Sequence, residues 1–274
     1  MKKPLPYSII VSDIDGTLLD SNRDIAPATA KIINQLYPET KVLLASSRMP
    51  SAMYYLQEKL EILGQPLIAY NGGLILGENQ KILHSITLPL AIIEAIVKHQ
   101  QPCNYNLSAY CDDDWYTAEK DQWTLREINN TRVEPTLLPS KNLLQTLDRK
   151  NQAPHKCMVM GSPAELDDLI LTLKKEFDDS ANFYRSKETY LEITPKAIDK
   201  SKAITYLLDN HYGFEMNDVI AFGDNHNDET MLKNAGMGVA VANATPNVKD
   251  VAHTVSQFTN KENAVALMLE SLMK

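Results

Sequence analysis

Ile9-Ile10-Val11-Ser12-Asp13-Ile14-Asp15-Gly16-Thr17 is the stretch on which the reading of this chain turns. The apolar run Ile9–Val11 reads as a strand buried on both faces, as in a parallel sheet. Asp13 and Asp15 are separated by one residue, so on an extended backbone their carboxylates point to the same side. Gly16 then lets the chain turn sharply. A strand therefore ends by presenting two acids at its carboxyl edge, where open α/β sheets bind ligands. Two close carboxylates repel each other, and a hard divalent cation with oxygen ligands, Mg²⁺ above all, is their natural partner.

Taken alone, Asp-x-Asp-Gly-Thr is short enough to be an acidic turn at the end of a strand. Three later segments, in order, change that weighting. Lys41-Val42-Leu43-Leu44-Ala45-Ser46-Ser47-Arg48 is again an apolar strand, ending in hydroxyls and an arginine. Glu192–Lys200 leads into a helical pattern at Ala203, Ile204, Leu207 and Leu208 and puts Lys200 near a helix N-terminus, a setting that favours an anion. Val219-Ile220-Ala221-Phe222-Gly223-Asp224 is a third apolar strand, and Asp228 follows one helical turn later.

The 274 residues are 44% hydrophobic, enough for one large or two modest domains with proper cores. Net charge is −8 with no long basic run, which argues against a phosphate-backbone binder; no nucleic acid is expected. No run of about 18 apolar residues predicts a membrane span. The start, Met1-Lys2-Lys3-Pro4-Leu5-Pro6-Tyr7, lacks the apolar stretch of a secretory signal. Cys103, Cys111 and Cys157 fit no metal-binding spacing and read as packing residues in a reducing compartment, so a cytoplasmic setting is expected.

Short apolar strands alternate with helical patterns over residues 8–84 and again after about 198, which predicts a doubly wound sheet. Strands are expected at 8–13, 41–46, 67–70, 219–222 and 238–241, with a hairpin at 74–76 and 81–84. Helices are expected near 26–37, 50–61, 200–210, 228–234 and 246–250. Between about 85 and 190 the texture differs. A helix after Pro89, strand-like runs at Tyr105–Tyr110, Trp115–Thr117, Lys156–Met160, Phe183–Ser186 and Tyr190–Ile193, and a helix through Leu166 and Leu173 suggest a separate α+β insertion.

Together the four segments, spanning Tyr7 to about Asn263, resemble motifs I to IV of the haloacid dehalogenase superfamily of phosphohydrolases. The pattern is similar to the Cof-type branch, which carries a large type IIB αβ cap between the second and third motifs. The fold implied is α/β: a doubly wound, mostly parallel Rossmann-like core of residues 1–84 and 191–274, with an inserted α+β cap of residues 85–190 that closes over the site. The activity implied is Mg²⁺-dependent hydrolysis of a small phosphorylated metabolite, sugar phosphate-like, through an aspartyl-phosphate, by a monomer or homodimer acting on no membrane. Alternatives on the same scaffold are a phosphomutase or phosphotransferase, and a non-catalytic phospholigand-binding protein. The last would be expected to have lost Asp13 or Lys200, and both are present.

By the same resemblance, Asp13 is the nucleophile and a metal ligand. Asp15 is the acid and then the base, and its backbone carbonyl meets the metal. Ser46 holds the phosphoryl group, and Arg48 meets the substrate or cap, or is a surface arginine. Lys200 screens the charge of the nucleophile and phosphoryl group, with Lys196 and Lys202 as alternatives. Asp224 is the second metal carboxylate. Asp228 orients Lys200 or a metal-bound water, and Asn227 bonds the phosphate or such a water. Asn71-Gly72-Gly73 resembles a substrate-phosphate turn of this branch. Two departures stand out: Ser46-Ser47-Arg48 replaces the usual Thr-Gly-Arg, which lets Ser47 compete with Ser46, and Ser201 replaces a glycine after the lysine. His226 reads as an exposed loop residue, Asp112–Asp114 as a turn, and Arg185, Ser186 and Tyr190 as cap residues that could touch substrate.

Overall fold

A computed structural model describes residues 5–100, 103 and 105–274; Met1–Pro4 of the N-terminal reading lie outside the described residues. In chain order the strands are β1 (Ile9–Ser12), β2 (Lys41–Ala45), β3 (Leu67–Ala69), β4 (Leu74–Leu76), β5 (Ile82–Ser85), β6 (Asn106–Cys111), β7 (Asp114–Thr117), β8 (Thr136–Leu137), β9 (Lys156–Met160), β10 (Ala181–Lys187), β11 (Tyr190–Pro195), β12 (Val219–Gly223), β13 (Met237–Ala240) and β14 (Thr254–Val255). They form an eight-stranded sheet, ordered β14-β13-β12-β1-β2-β3-β4-β5, and a six-stranded sheet, ordered β10-β11-β9-β6-β7-β8. The chain divides into two compact units, the first holding residues up to Arg48, Met53–Leu83 and Asp199–Lys274, the second Met49–Ala52 and His84–Ile198.

In the first unit, β1 lies between β2 and β12 and runs parallel to both, with Ser12 level with Leu44 on one side and Phe222 on the other. All four residues of β1 are buried, which explains its unbroken apolar run. Strand order reverses at β1: the chain moves outward to β2 and β3, then returns to the other flank with β12 and β13. Parallel strands share a carboxyl edge, so the residues after β1, β2 and β12 emerge together at a topological switch point. Helix α1 (Pro27–Leu36) opens on a proline and buries Ile32, Ile33 and Leu36. Side chains of β1, β2 and β12 pack with Ile204, Leu207, Met231 and Leu232 in one apolar core.

In the second unit, one face of the mostly antiparallel sheet (Leu107, Ala109, Cys157, Val159, Leu191, Ile193) packs on Ile92, Ile96, Leu143, Leu166 and Leu169 from helices. The cysteines Cys111 and Cys157 are buried in this core. Two helices here escape the sequence reading, Gln122–Thr131 and Ser140–Lys150, and so does the parallel edge strand β8. Their apolar stripes are thin: only Thr124 is buried in the first and Leu143 and Leu147 in the second. β11 pairs with β10 from Tyr190 to Pro195 and with β9 from Tyr190 to Ile193, and the second unit runs on to Ile198. Asp112–Asp114 does make a turn: Asp112 is left-handed (φ 50°), Asp113 accepts from the Ser51 amide at 2.7 Å, and Asp114 accepts from Tyr116 at 2.8 Å.

A terminal helix, Ala264–Leu272, and edge strand β14 complete the first unit and were not anticipated. No helix among the described residues is long and apolar enough to cross a membrane.

Candidate active site

Asp13 continues the ladder of β1 by donating its amide to the Phe222 carbonyl at 3.0 Å, which fixes it at the shared edge. The turn that follows has a steric requirement. Gly16 is left-handed (φ 86°), and a Cβ built on it would lie 2.3 Å from Asp224 Oδ2. Only glycine lets the turn lie against that carboxylate. Thr17 then donates its hydroxyl to Asp224 Oδ1 at 3.0 Å. On the far side, Asn243 donates to the Gly16 carbonyl at 2.8 Å and accepts from the Asn260 amide at 2.8 Å, while Asn260 donates to Leu19 O at 2.7 Å.

After β12 the chain forms a short turn closed by Asp228, whose Oδ2 accepts from the amides of Asp224 (2.9 Å) and Asn225 (3.2 Å). Its other oxygen accepts from Lys200 Nζ at 2.7 Å, and the same ammonium reaches Asp13 Oδ1 at 2.5 Å. Lys200 opens the helix Lys200–Leu207, whose cap Asp199 accepts from the Lys202 amide. Lys202 is exposed and Lys196 donates to the Asp178 carbonyl, so of the three candidate lysines Lys200 is the one at the acids.

Asp13, Asp224 and Asp228 each offer an oxygen within 4.8 Å of the others. Two of the three bond the Lys200 ammonium, and the third, Asp224, accepts from Thr17. Burial, together with the Asp228 and Asp224 charges and against the pull of Lys200, pushes the Asp13 carboxyl well above the usual range. Burial and Asp228 lift Asp224 to about 6, against the hydrogen bond from Thr17. Burial works against the Lys200 charge, but Asp13 and Asp228 outweigh it and hold the ammonium above the usual lysine range. The cluster is short of positive charge and offers oxygen donors alone, which fits a hard divalent cation of the Mg²⁺ kind.

The Asp15 carboxylate is not one of these three. It accepts two parallel bonds from Arg48, Nε to Oδ2 at 2.7 Å and Nη2 to Oδ1 at 2.8 Å, and a third from Arg23 Nη2 at 3.1 Å. Arg48 is buried and also donates to the Tyr55 hydroxyl at 3.3 Å. Burial would discourage its charge, yet the bonds to Asp15 keep it firmly protonated. Arg48 is thus no surface arginine.

Ser46 is buried at the end of β2. Its amide donates to Ile68 O, its carbonyl accepts from the Asn71 amide, and its hydroxyl accepts from the Arg48 amide at 3.3 Å. Ser47 is half-buried beside it. Tyr70, Asn71 and Gly72 are left-handed in succession (φ 51°, 56° and 101°). A Cβ on Gly72 would lie 2.7 Å from the Asp199 carbonyl, so this turn abuts the residue before Lys200. Asn227 Nδ2 donates to Asn71 Oδ1 at 2.9 Å, which joins two expected phosphate contacts to each other. His226 is exposed and bonds Asn225. In the second unit Arg185 is held by Asp167 at 2.5 Å and by the Glu188 carbonyl, and Tyr190 packs edge-on against Trp123.

Sequence reasoning missed Thr17, Arg23, Tyr55, Asn243 and Asn260. For Asn243 a signal was available: it follows β13, a parallel strand of the same sheet, and so sits at the same edge.

A sequence model of the haloacid dehalogenase-like hydrolases matches residues 10–269. A relative in Haemophilus influenzae is 31% identical over 268 residues, covering 96% of this chain and 97% of the relative. The HMP-PP phosphatase of Yersinia enterocolitica is 28% identical over 89% of this chain and 86% of its own. Among solved structures, TM0651 from Thermotoga maritima superposes with a TM-score of 0.86 at 29% identity and 97% coverage of each chain. A haloacid dehalogenase-like hydrolase from Bacteroides thetaiotaomicron gives 0.87 at 27%, covering 97% of this chain and 99% of that one.

Proposed function

We propose, on the premise that this chain belongs to the haloacid dehalogenase-like hydrolases in their Cof-type branch, that it is a Mg²⁺-dependent phosphomonoesterase of small phosphorylated metabolites, sugar phosphates among them. The observation that carries the reading is Lys200, enclosed and bonded at once to Asp13 and Asp228 beside Asp224. Asp13 and Asp224, with Asp228 behind them and the Asp15 carbonyl, would hold the cation. When bound, the cation supplies positive charge for the phosphoryl oxygens.

Asp13 attacks phosphorus in line with the ester oxygen and forms an aspartyl-phosphate as the P–O ester bond breaks. Asp15, which the arginines hold as a carboxylate in the free enzyme, would take up a proton as substrate enters, give it to the departing alkoxide, and then accept one from the water that attacks the acyl phosphate, which regenerates Asp13. Lys200 neutralises Asp13 and faces the phosphoryl charge. Ser46 spends its acceptor role on the Arg48 amide, leaving its hydroxyl proton to donate to a phosphoryl oxygen. Asn71, whose oxygen is taken by Asn227, retains its N–H groups for the same purpose. Arg48 fixes the direction of the Asp15 carboxylate.

A panel of phosphorylated metabolites, assayed for phosphate release with Mg²⁺, tests the proposal. Release from at least one, with an acyl phosphate on Asp13 detected by rapid quench and intact mass, is the expected result. An isomeric product without free phosphate would instead establish a mutase.

A further inference from the structure

Arg23 lies outside every motif read from the sequence, and its placement is unusual for a surface arginine. It stands on a tight turn: the Asp20 amide donates to Asp24 O at 2.9 Å and the Arg23 amide to Asp20 O at 3.1 Å. Asp20 Oδ1 accepts from the amides of Asn22 (2.8 Å) and Asp24 (3.2 Å). Within that turn Arg23 is left-handed, with φ 57°, a conformation that a residue with a Cβ adopts at a cost. The braced turn sends its guanidinium to Asp15 Oδ1, the oxygen that already accepts from Arg48 Nη2.

Arg48 matches the charge of Asp15 one for one, in a bidentate pair with 5% of the arginine side chain exposed. Arg23 is a second cation on the same carboxylate, through one bond, with half of its side chain open to solvent. An exposed ion pair to a carboxylate that is already paired adds little stability. What the arrangement does create is a donor-rich positive group at the mouth of a site, on a chain of net charge −8.

Its position relative to a substrate follows from the proposed role of Asp15. A group that exchanges a proton with the leaving oxygen stands within hydrogen-bond reach of it. A guanidinium 3.1 Å from that same carboxylate therefore stands within roughly 6–8 Å of the leaving oxygen, in reach of a group carried close to it on the alcohol. We infer that Arg23 is a specificity residue that receives a second anionic group, a carboxylate or a further phosphate, carried by the leaving alcohol close to the ester oxygen. Guanidinium binds both groups through paired N–H donors. The inference rests on the phosphatase reading and deepens it: the preferred substrates are phosphoesters of acidic alcohols.

Two matched substrate pairs test this on the full chain with Mg²⁺. Phosphoglycolate against hydroxyethyl phosphate isolates a carboxylate, and ribose bisphosphate against ribose monophosphate isolates a phosphate. The expected result is a higher kcat/KM for the anionic member of at least one pair, with that ratio falling about fivefold or more in Arg23→Gln and partly kept in Arg23→Lys. The pair that responds identifies the anion. A ratio near one in both pairs, or an Arg23→Gln enzyme that loses activity on both members equally, overturns the inference and leaves Arg23 as a prop for Asp15. An aryl phosphate separates phosphatase activity from anion preference. No Mg²⁺-dependent release from it or any pair member removes the phosphatase reading and this inference together; release from it with undiscriminated pairs removes this inference alone.

Discussion

Lys200 and Asp228, 28 residues apart in the chain, lie 2.7 Å from each other with neither side chain exposed to solvent. A charge in such a place is costly unless it is matched, and removing one partner strands the other. Lys200 also matches Asp13. Replacing it by methionine should therefore cost roughly 3–5 kcal/mol in urea or thermal melts. Mg²⁺ should return part of that loss, since it supplies charge to the same carboxylates. A variant as stable as the wild type, with or without the cation, would contradict the charge balance described for the site.

Metal dependence carries a pH signature. Chelation by EDTA should abolish phosphate release and Mg²⁺ restore it, with Ca²⁺ a poor substitute because its longer, looser coordination misplaces the nucleophile. Asp224 is lifted to about 6 by burial and the neighbouring Asp228 charge. Protons therefore compete with the cation below that value, and the half-saturating Mg²⁺ concentration should fall as pH rises through it. Calorimetric titration of Mg²⁺ across that range gives the measurement; an affinity that stays flat or weakens with rising pH counts against the assignment.

The two acids of the first loop should fail in different ways. Asp13→Asn removes the nucleophile and should nearly eliminate turnover on every substrate. Asp15→Asn keeps the nucleophile but loses proton transfer, worth on the order of 10²–10⁴-fold. Aryl phosphates need less help in departing, so this variant should suffer less on them than on sugar phosphates. Near wild-type kcat in Asp13→Asn would rule out its proposed role.

Gly16→Ala tests the steric argument. The added methyl would enter the space of Asp224 in a left-handed turn. Mg²⁺ affinity and activity should both drop steeply, with a smaller loss in melting temperature. Unchanged Mg²⁺ binding would mean that the turn has slack.

His155 makes the second unit sensitive to acid. It is fully enclosed, accepts the Asp112 amide on Nδ1 at 3.1 Å, and lies 3.0 Å from Ser85 Oγ through Nε2. The first bond requires an unprotonated Nδ1, so the ring is neutral and its hydrogen is on Nε2. Burial, only partly offset by Asp112, lowers its pKa from 6.5 to about 4. The unfolded chain therefore binds the proton first. Stability is complete above about 6.5 and is lost as pH falls towards 4, on the order of 3 kcal/mol for this group. His155→Gln cannot take up that proton, so urea midpoints should decline less over this interval than in the wild type. Equal declines would show that the ring is not the source.

The strands carrying the candidate site were legible because each is a short, continuous apolar run that ends in a polar cluster, and burial on both faces demands such a run. Asp13, Lys200, Asp224 and Asp228 converge because parallel strands share an edge, a consequence of topology that sequence order already implies. Harder to see were elements with weak patterns. Gln122–Thr131 and Ser140–Lys150 bury too few side chains to leave a stripe, and Ala264–Leu272 is apolar on most sides and so lacks a clear period. The clamp on Asp15 was invisible for another reason. Arg48 and Arg23 reach it across folded loops, 33 and 8 residues away, and no spacing rule links them to it.

The turn at Gly72 presses against the Asp199 carbonyl, one residue before the buried ammonium. Any side chain there would push that peptide, and Lys200 moves with it. Inheritance of this site therefore includes a position whose contribution is an empty volume. A lineage could keep every acid, the lysine and both arginines, acquire one methyl group at residue 72, and still lose the alignment on which their chemistry depends. A census of reactive groups would score that descendant as intact.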